Sequence, residues 1–345
     1  MRLYHGSFRP PATALAFLFV ECCILGGCKN STTLIESHVP ASGSWKLVRN
    51  GGDGDLFGMC FVDRNHGWAV GDSGRIISTS DGGDSWTFQQ SNTSASCHCV
   101  AFVNPLRGWI GAHGDSLGTT TDGGQSWRWQ QFAGDPRTTL MAMAFVDENT
   151  GWVVDNFSGI LHTEDGGTNW TSQVSGTRWA ITSVQFLDRN EGWAVASNRV
   201  VLHTTDGGSH WMVQTLDSLD YGKGVTVTYT DIYFVSHTKG WITTNALHSN
   251  TSPHPLSVVS TSDGGKSWRC TPTPESDVIA SITFTNENTG WATGASGILQ
   301  TVDGGAHWSF QVPLRYAGFI EACFVNPTLG WALTYNGTVY RYQSS

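Results

Sequence analysis

Charge is scarce in this chain. Lys, Arg, Asp and Glu together make up 14% of the 345 residues, and the acidic excess leaves a net charge of −9. A nucleic-acid partner needs a basic footprint, so that class of function is set aside. After the N-terminal region no apolar run is long enough to cross a bilayer. Besides Cys28, the chain beyond residue 27 has only Cys60, Cys97, Cys99, Cys270 and Cys323, an odd set for an oxidising compartment, so at least one thiol is expected to be free. What is abundant is glycine, with 41 copies, and tryptophan, with 16. That mixture fits short strands and tight turns, and it is too aromatic for a disordered chain.

Residues 1–27 read as an export signal. Arg2 and Arg9 precede an apolar stretch over residues 12–25 that is interrupted by Glu21 and ends in Leu-Gly-Gly-Cys at residues 25–28. The ending resembles a bacterial lipobox, which makes Cys28 the expected lipidation site; plain secretion and a retained anchor are the alternatives. Residues 28–44, rich in Ser, Thr and small residues, read as a flexible tether, and the fold is expected over residues 45–345.

An internal repeat organises the rest. Gly-Trp pairs recur with Trp68, Trp109, Trp152, Trp193, Trp241, Trp291 and Trp331, and seven positions before each stands Phe61, Phe102, Phe145, Phe186, Phe234, Phe284 or Phe324. Six copies continue into Thr-x-Asp-Gly-Gly-x-x-Trp, whose aspartates are Asp81, Asp122, Asp165, Asp206, Asp263 and Asp303. A period near 41 residues with four short strands per copy predicts an all-β, seven-bladed β-propeller. The aspartates read as structural turn residues: Gly reaches positive φ without a Cβ clash, while the carboxylate accepts backbone N–H groups. The seventh copy lacks this turn, yet Ser44-Trp45 matches the start of a fourth strand elsewhere. The N-terminal strand from Trp45 to Arg49 is therefore expected to pair with the strand containing Tyr340 and close the ring.

The Asp-box (BNR) turn and the pattern F-V-x-x-x-x-G-W-A-V-G-x-x-G-x-I-x-x-T-x-D-G-G-x-x-W, fullest over residues 61–86, resemble the photosystem II stability/assembly factor family over residues 42–345. The resemblance implies a non-catalytic, lipid-anchored propeller that binds membrane-protein subunits during assembly, with an arginine-rich patch on one face. The corresponding candidates here are Arg137, Arg178 and Arg315 before inner strands, with Arg75 and Arg199 on turns of the same face. A ring of guanidinium groups suits a carboxylate; the plainer alternative is that each pairs with a nearby acid such as Asp53, Asp135 or Glu321. Trp179 beside Arg178, with Tyr221 and Tyr316 on related loops, is either an interface anchor or a plug of the propeller mouth. Long connections over residues 216–230 and 243–257 reach this face too, which makes it the place to look for function.

Asp-box repeats also occur in sialidases and glucan hydrolases, so a carbohydrate-binding or glycoside-hydrolysing surface propeller is the rival reading. No Arg-Ile-Pro tripeptide is present, the nearest being Arg75-Ile76-Ile77, and the carboxylate pair to watch is Asp115 with Asp155. A structural spacer is a third reading. Cys97-His98-Cys99 lacks a second ligand pair, so no metal and no cofactor is expected; a disulfide among Cys60, Cys97, Cys99 and Cys323 stands beside free thiols. The reading that results is a monomeric cell-envelope protein, joined to the membrane through its lipid, that binds a membrane-protein subunit or another envelope protein and catalyses nothing.

Overall fold

The computed structural model describes residues 43–132, 134–216, 219, 226–247, 257–274, 278–312 and 318–344. Cys28, Tyr221, Arg315 and Tyr316 lie outside them. The described residues form seven four-stranded antiparallel sheets, the blades of a β-propeller. Blade one runs outward through Leu56–Phe61, Gly67–Gly71, Ile76–Thr79 and Thr87–Phe88. Its outer strand is shorter than the sequence pattern suggests, although the Gln89 amide still donates to the Ile76 carbonyl and its side-chain amide reaches the carbonyl of Gly123 in blade two.

The repeat residues meet between blades. Each Gly-Trp indole stacks flat on the repeat Phe of the next blade, as Trp68 does on Phe102 at 3.5 Å, Trp152 on Phe186 at 3.4 Å and Trp331 on Phe61 at 3.6 Å. The Trp that follows the Asp turn meets the Phe of its own blade edge-on, for example Phe61 with Trp86 at 5.9 Å. Each Phe therefore sits between two indoles, a burial that drives blade against blade. The glycine of each Gly-Trp pair is dictated by this packing: a Cβ on Gly67 would fall 2.5 Å from the Phe61 ring.

The Asp turn is a closed set of hydrogen bonds. Thr79 Oγ1 donates to Asp81 Oδ1 at 2.8 Å and accepts from the Gly83 amide at 2.9 Å, while Ser85 donates to Asp81 through its amide and its hydroxyl. Gly82 and Gly83 take φ of 74° and 93°, where an L side chain is strained. At five of the six turns the outward carbonyl receives the indole N–H of the preceding blade: Trp68 donates to Gly123, Trp109 to Gly166, Trp152 to Gly207, Trp241 to Gly304 and Trp331 to Gly82, whereas the Trp193 indole has no acceptor among the described residues.

Blade seven closes the ring as expected. Gly43–Arg49 pairs with Val339–Ser344, with Leu47 opposite Tyr340 and Trp45 opposite Tyr342. Trp45 takes the edge-on position against Phe324 at 5.9 Å that the Asp-turn tryptophans take elsewhere. Because Trp331 pairs with Arg341, Tyr342 occupies the register of the turn threonine, and its ring fills that space against Trp45 and Trp291.

Every inner strand carries a β-bulge at the same place. In blade one the register moves between Leu56 and Gly58; equivalent shifts recur in all seven blades. The extra residue lies four positions before the repeat Phe and is released from the ladder. Blade five differs in length: Thr226–Phe234 and Gly240–Leu247 extend their ladder to Thr226 opposite Leu247, so its inner hairpin is longer than the others.

Candidate binding face

Two kinds of connection share one face of the ring: those from an outer strand to the next inner strand, and those between second and third strands. The Asp turns lie at the other end of the strands. Their carboxyls are consumed by the turns: hydrogen bonds from Ser85 hold Asp81 down at about 2, and Asp206 is held at about 2 by the amide and ring of His210. The same bonding pattern recurs at Asp122, Asp165, Asp263 and Asp303, so all six are turn residues.

The arginines of the candidate face each have a local setting. Arg137 is exposed, grips Asp135 through Nε and Nη2 at 3.0 and 2.6 Å, and lies over Phe157. Its bonds depress the Asp135 carboxyl to about 2. Arg75 sits 3.8 Å from Asp53 and over Phe88, and Arg49 shares that same carboxylate at 2.6 Å. Arg178 is exposed, with its guanidinium over the half-buried Trp179 at 5.1 Å. Trp179 in turn packs on the core between blades three and four, beside Ile181 and Trp211. Arg199 occupies the turn between the second and third strands of blade four at φ 63°.

The proposed carboxylate pair is also built into turns. Asp115 accepts from the Gly134 amide at 3.0 Å, and Asp155 accepts from the amides of Phe157 and Gly159 at 2.7 Å each. Burial raises the Asp115 carboxyl, and the neighbouring charge of Asp155 adds to the rise.

Sequence reasoning overlooked the channel on the propeller axis. The bulge residues Phe57, His98, Met141, Thr182, Thr230, Ala280 and Ile320 all line it, near the face just described, in a cavity of about 410 Å³. Phe57 and His98 stack at 5.0 Å and 10°, and Tyr335 leans on Phe57 at 5.6 Å. Burial, helped by His113, pushes the His98 ring down to about 4, so it is neutral at neutral pH. The two threonine hydroxyls are engaged across blade boundaries, Thr182 on the Tyr229 carbonyl and Thr230 on the Ile279 carbonyl, both at 2.8 Å.

One residue further along each strand, two carboxyls cross-brace neighbouring blades. Asp231 accepts from Ser183 at 2.8 Å and from the Ile282 amide at 2.9 Å; Glu321 accepts from the Met59 amide at 2.5 Å. Withdrawal from water raises the Asp231 carboxyl and lifts Glu321 to about 8. Aligning the seven copies column by column, four and three residues before the Phe, would have exposed both rings.

Cys60, Cys97, Cys99 and Cys323 carry free thiols, which decides against a disulfide among these four. The bulge turns His98 into the channel, whereas Cys97 packs with Trp68 and Phe102 and Cys99 with Trp109 and Leu140. Burial pushes the Cys60 and Cys97 thiols up to about 12, away from reactivity. Among the described residues no cluster of His, Cys, Asp or Glu is arranged to hold a metal ion.

Comparison with known proteins follows the same lines. The family model described as photosynthesis system II assembly factor YCF48 matches residues 37–128, 89–179 and 173–276. A curated relative, the photosystem II assembly lipoprotein Ycf48 of Prochlorococcus marinus, is 35% identical over 72 residues, 21% of this chain and 20% of that relative. The matched stretch thus spans about a fifth of its length. The solved structure "YCF48 bound to D1 peptide" superposes with a TM-score of 0.72 at 20% identity, covering 90% of this chain and 100% of the other. A streptogramin B lyase structure superposes with 0.71 at 10% identity, covering 89% and 100%; at that distance it shares the fold alone.

Proposed function

The chain belongs to the photosynthesis system II assembly factor YCF48 family, and on that footing we propose that it is a non-catalytic propeller that holds a membrane-protein subunit while a photosystem complex is assembled. The observation that carries this reading is the family match across successive repeats, from residue 37 to residue 276. One solved relative of the same fold is described as bound to a D1 peptide, so a D1-like reaction-centre subunit is the partner of choice. The partner meets the face of interblade connections, where Arg178 over Trp179 offers an exposed cation on an aromatic anchor. Arg137, Arg75 and Arg199 belong to the same face, with Arg315 on the corresponding connection of the sequence. The protein acts as a monomer in the cell envelope. Residues 1–27 are removed on export, Cys28 carries the lipid, and residues 28–44 tether the propeller to the membrane, in keeping with the lipoprotein name of the curated relative.

Glycoside hydrolysis is disfavoured by the use made of its acids. Asp115 and Asp155 hold turn amides, which are poor positions for an acid and a nucleophile. The test is affinity capture from detergent-solubilised photosynthetic membranes with the mature protein, beside a triple Arg137→Ala, Arg178→Ala, Arg315→Ala variant that retains the fold. Recovery of a photosystem II subunit by the wild type and its loss in the variant are expected. Equal recovery by both would overturn the arginine assignment; recovery of no photosystem subunit by either would overturn the function.

A further inference from the structure

The channel mouth is not a uniform ring. Going round the axis, Ala280, Ile320, Phe57, His98 and Met141 form a continuous crescent over five consecutive blades, and Thr182 and Thr230 complete the circle with their hydroxyls already bonded. The crescent is made of aliphatic groups, a phenyl ring and a neutral imidazole stacked upon it. Behind its central part, the next residue along the strand is small: Gly58, Cys99 and Ala142. At the same position blades five and seven carry Asp231 and Glu321.

A charged group entering this crescent would lose water and meet the uncharged His98 ring as its one polar side chain, whereas an apolar side chain would replace water on aromatic surface. The border has the opposite character. Asp55 and Asp72 lie close enough to Tyr335 to perturb its hydroxyl, and Asp72 also acts on His98. Arg49 and Arg75 converge on Asp53, so three carboxylates on this side of the mouth face two guanidinium groups.

We propose that the crescent takes one apolar side chain, aromatic or branched aliphatic, from an extended segment of the partner protein, with a basic residue of that segment against the Asp55 and Asp72 border. The inference rests on the protein-binding reading above and adds to it the chemistry of the anchor. It places the anchor on blades six, seven and one to three, apart from the Arg178 side of the face.

Short capped peptides test it without knowledge of the partner. Acetyl-Lys-Phe-Lys-amide, acetyl-Lys-Ser-Lys-amide and acetyl-Glu-Phe-Glu-amide are titrated into the mature protein and followed by NMR. The Lys-Phe-Lys probe is expected to bind with a millimolar Kd and to perturb the His98 ring, with the serine probe weaker by roughly tenfold or more, the factor that burying one phenyl side chain supplies. Phe57→Ser and Met141→Ser should each weaken binding several-fold, whereas Met212→Ser, on the exposed outer strand of blade four, should leave it unchanged; Met141→Ser serves where Phe57→Ser fails to fold. Equal binding of the phenylalanine and serine probes, or indifference to both crescent variants, overturns the inference. Preference for the Glu-Phe-Glu probe with loss in Arg178→Ala overturns it too, but leaves the arginine assignment standing.

Discussion

The indole nitrogen of Trp241 donates to the carbonyl of Gly304 at 2.9 Å, joining blade five to the Asp turn of blade six. Its counterpart one blade on, Trp291, is equally buried but has no acceptor among the described residues. The reason lies in the register: blade seven has Tyr342 where the turn threonine would stand, and the Tyr342 ring meets Trp291 at 5.2 Å instead of a turn carbonyl. The two tryptophans share the same stack on the next Phe, at 3.4 Å for Trp241 on Phe284 and 3.8 Å for Trp291 on Phe324.

That contrast gives a matched pair of substitutions. Trp→Phe at either site trims the same indole surface, but only Trp241→Phe also strands a carbonyl that had a donor. Trp241→Phe should destabilise by about 1 kcal/mol more than Trp291→Phe, the net value of one buried hydrogen bond. Urea unfolding of the two variants checks it, and equal losses would show that the interblade bond contributes nothing net.

Glu321 makes stability depend on pH in an unusual direction. Its carboxyl titrates at about 8 in the folded chain against 4.5 ordinarily, so between those values the native state keeps a proton that the unfolded chain has lost. Stability must then fall as pH rises through this window and level off above pH 8. Glu321→Gln keeps an acceptor for the Met59 amide and cannot titrate. It should match the wild type near pH 4 and exceed it at pH 8 by on the order of 2–3 kcal/mol, once water in the channel is allowed for. Asp231, raised in the same sense, leaves a residual slope in the variant. Thermal melts from pH 4 to 9 decide, and an unchanged slope would show that Glu321 is ionised in the native state.

The ring of blades was legible because its determinants repeat. Phe at one position and Trp seven residues later are useless to a lone blade, and only stacking on a neighbour explains why all seven copies keep both. Closure was legible for the same reason: Ser44-Trp45 has no partner other than the incomplete last copy. The bulges were not legible. In Leu56–Phe61 apolar residues fall on both sides of the strand, so skipping Phe57 breaks no hydrophobic alternation. The arginine ring could not be decided either, since Arg137 and Arg75 each found an acid within the same connection or the next turn, and loop side-chain direction is not written in spacing.

Acid should loosen the Asp turns. Hydrogen bonds from Ser85 hold the Asp81 carboxyl at about 2, and Asp206 and Asp263 are held there too by His210 and Ser267. A depressed carboxyl contributes stability above its unfolded value near 3.8 and loses it as pH falls through 2. Asp81→Asn keeps one acceptor for the Ser85 amide but gives up the charge-assisted bond to the Ser85 hydroxyl. At this solvent-exposed turn the loss should be about 0.5–1 kcal/mol at pH 7, shrinking toward zero near pH 2. Melts at both pH values measure the difference, and a penalty that persists at pH 2 would point to geometry rather than charge.

Gly67 and Gly52 separate two reasons for keeping room at a glycine. At Gly52 φ is 102° and no atom lies within 4 Å of a built Cβ, so Gly52→Ala incurs only conformational strain, about 1 kcal/mol. At Gly67 the new Cβ would lie 2.5 Å from the Phe61 ring. The ring cannot retreat, because Trp331 stacks on it at 3.6 Å and the Trp86 edge meets it at 5.9 Å. Gly67→Ala must therefore displace a repeat Phe from both indoles and should cost about 2–3 kcal/mol. The displacement also has an optical signature: near-ultraviolet circular dichroism from the Phe61–Trp331 stack should change in Gly67→Ala and not in Gly52→Ala. Equal stability losses with unchanged spectra would mean that the blade-one stack yields to an added methyl group, and that the Gly-Trp pair is kept for its backbone rather than for its missing side chain.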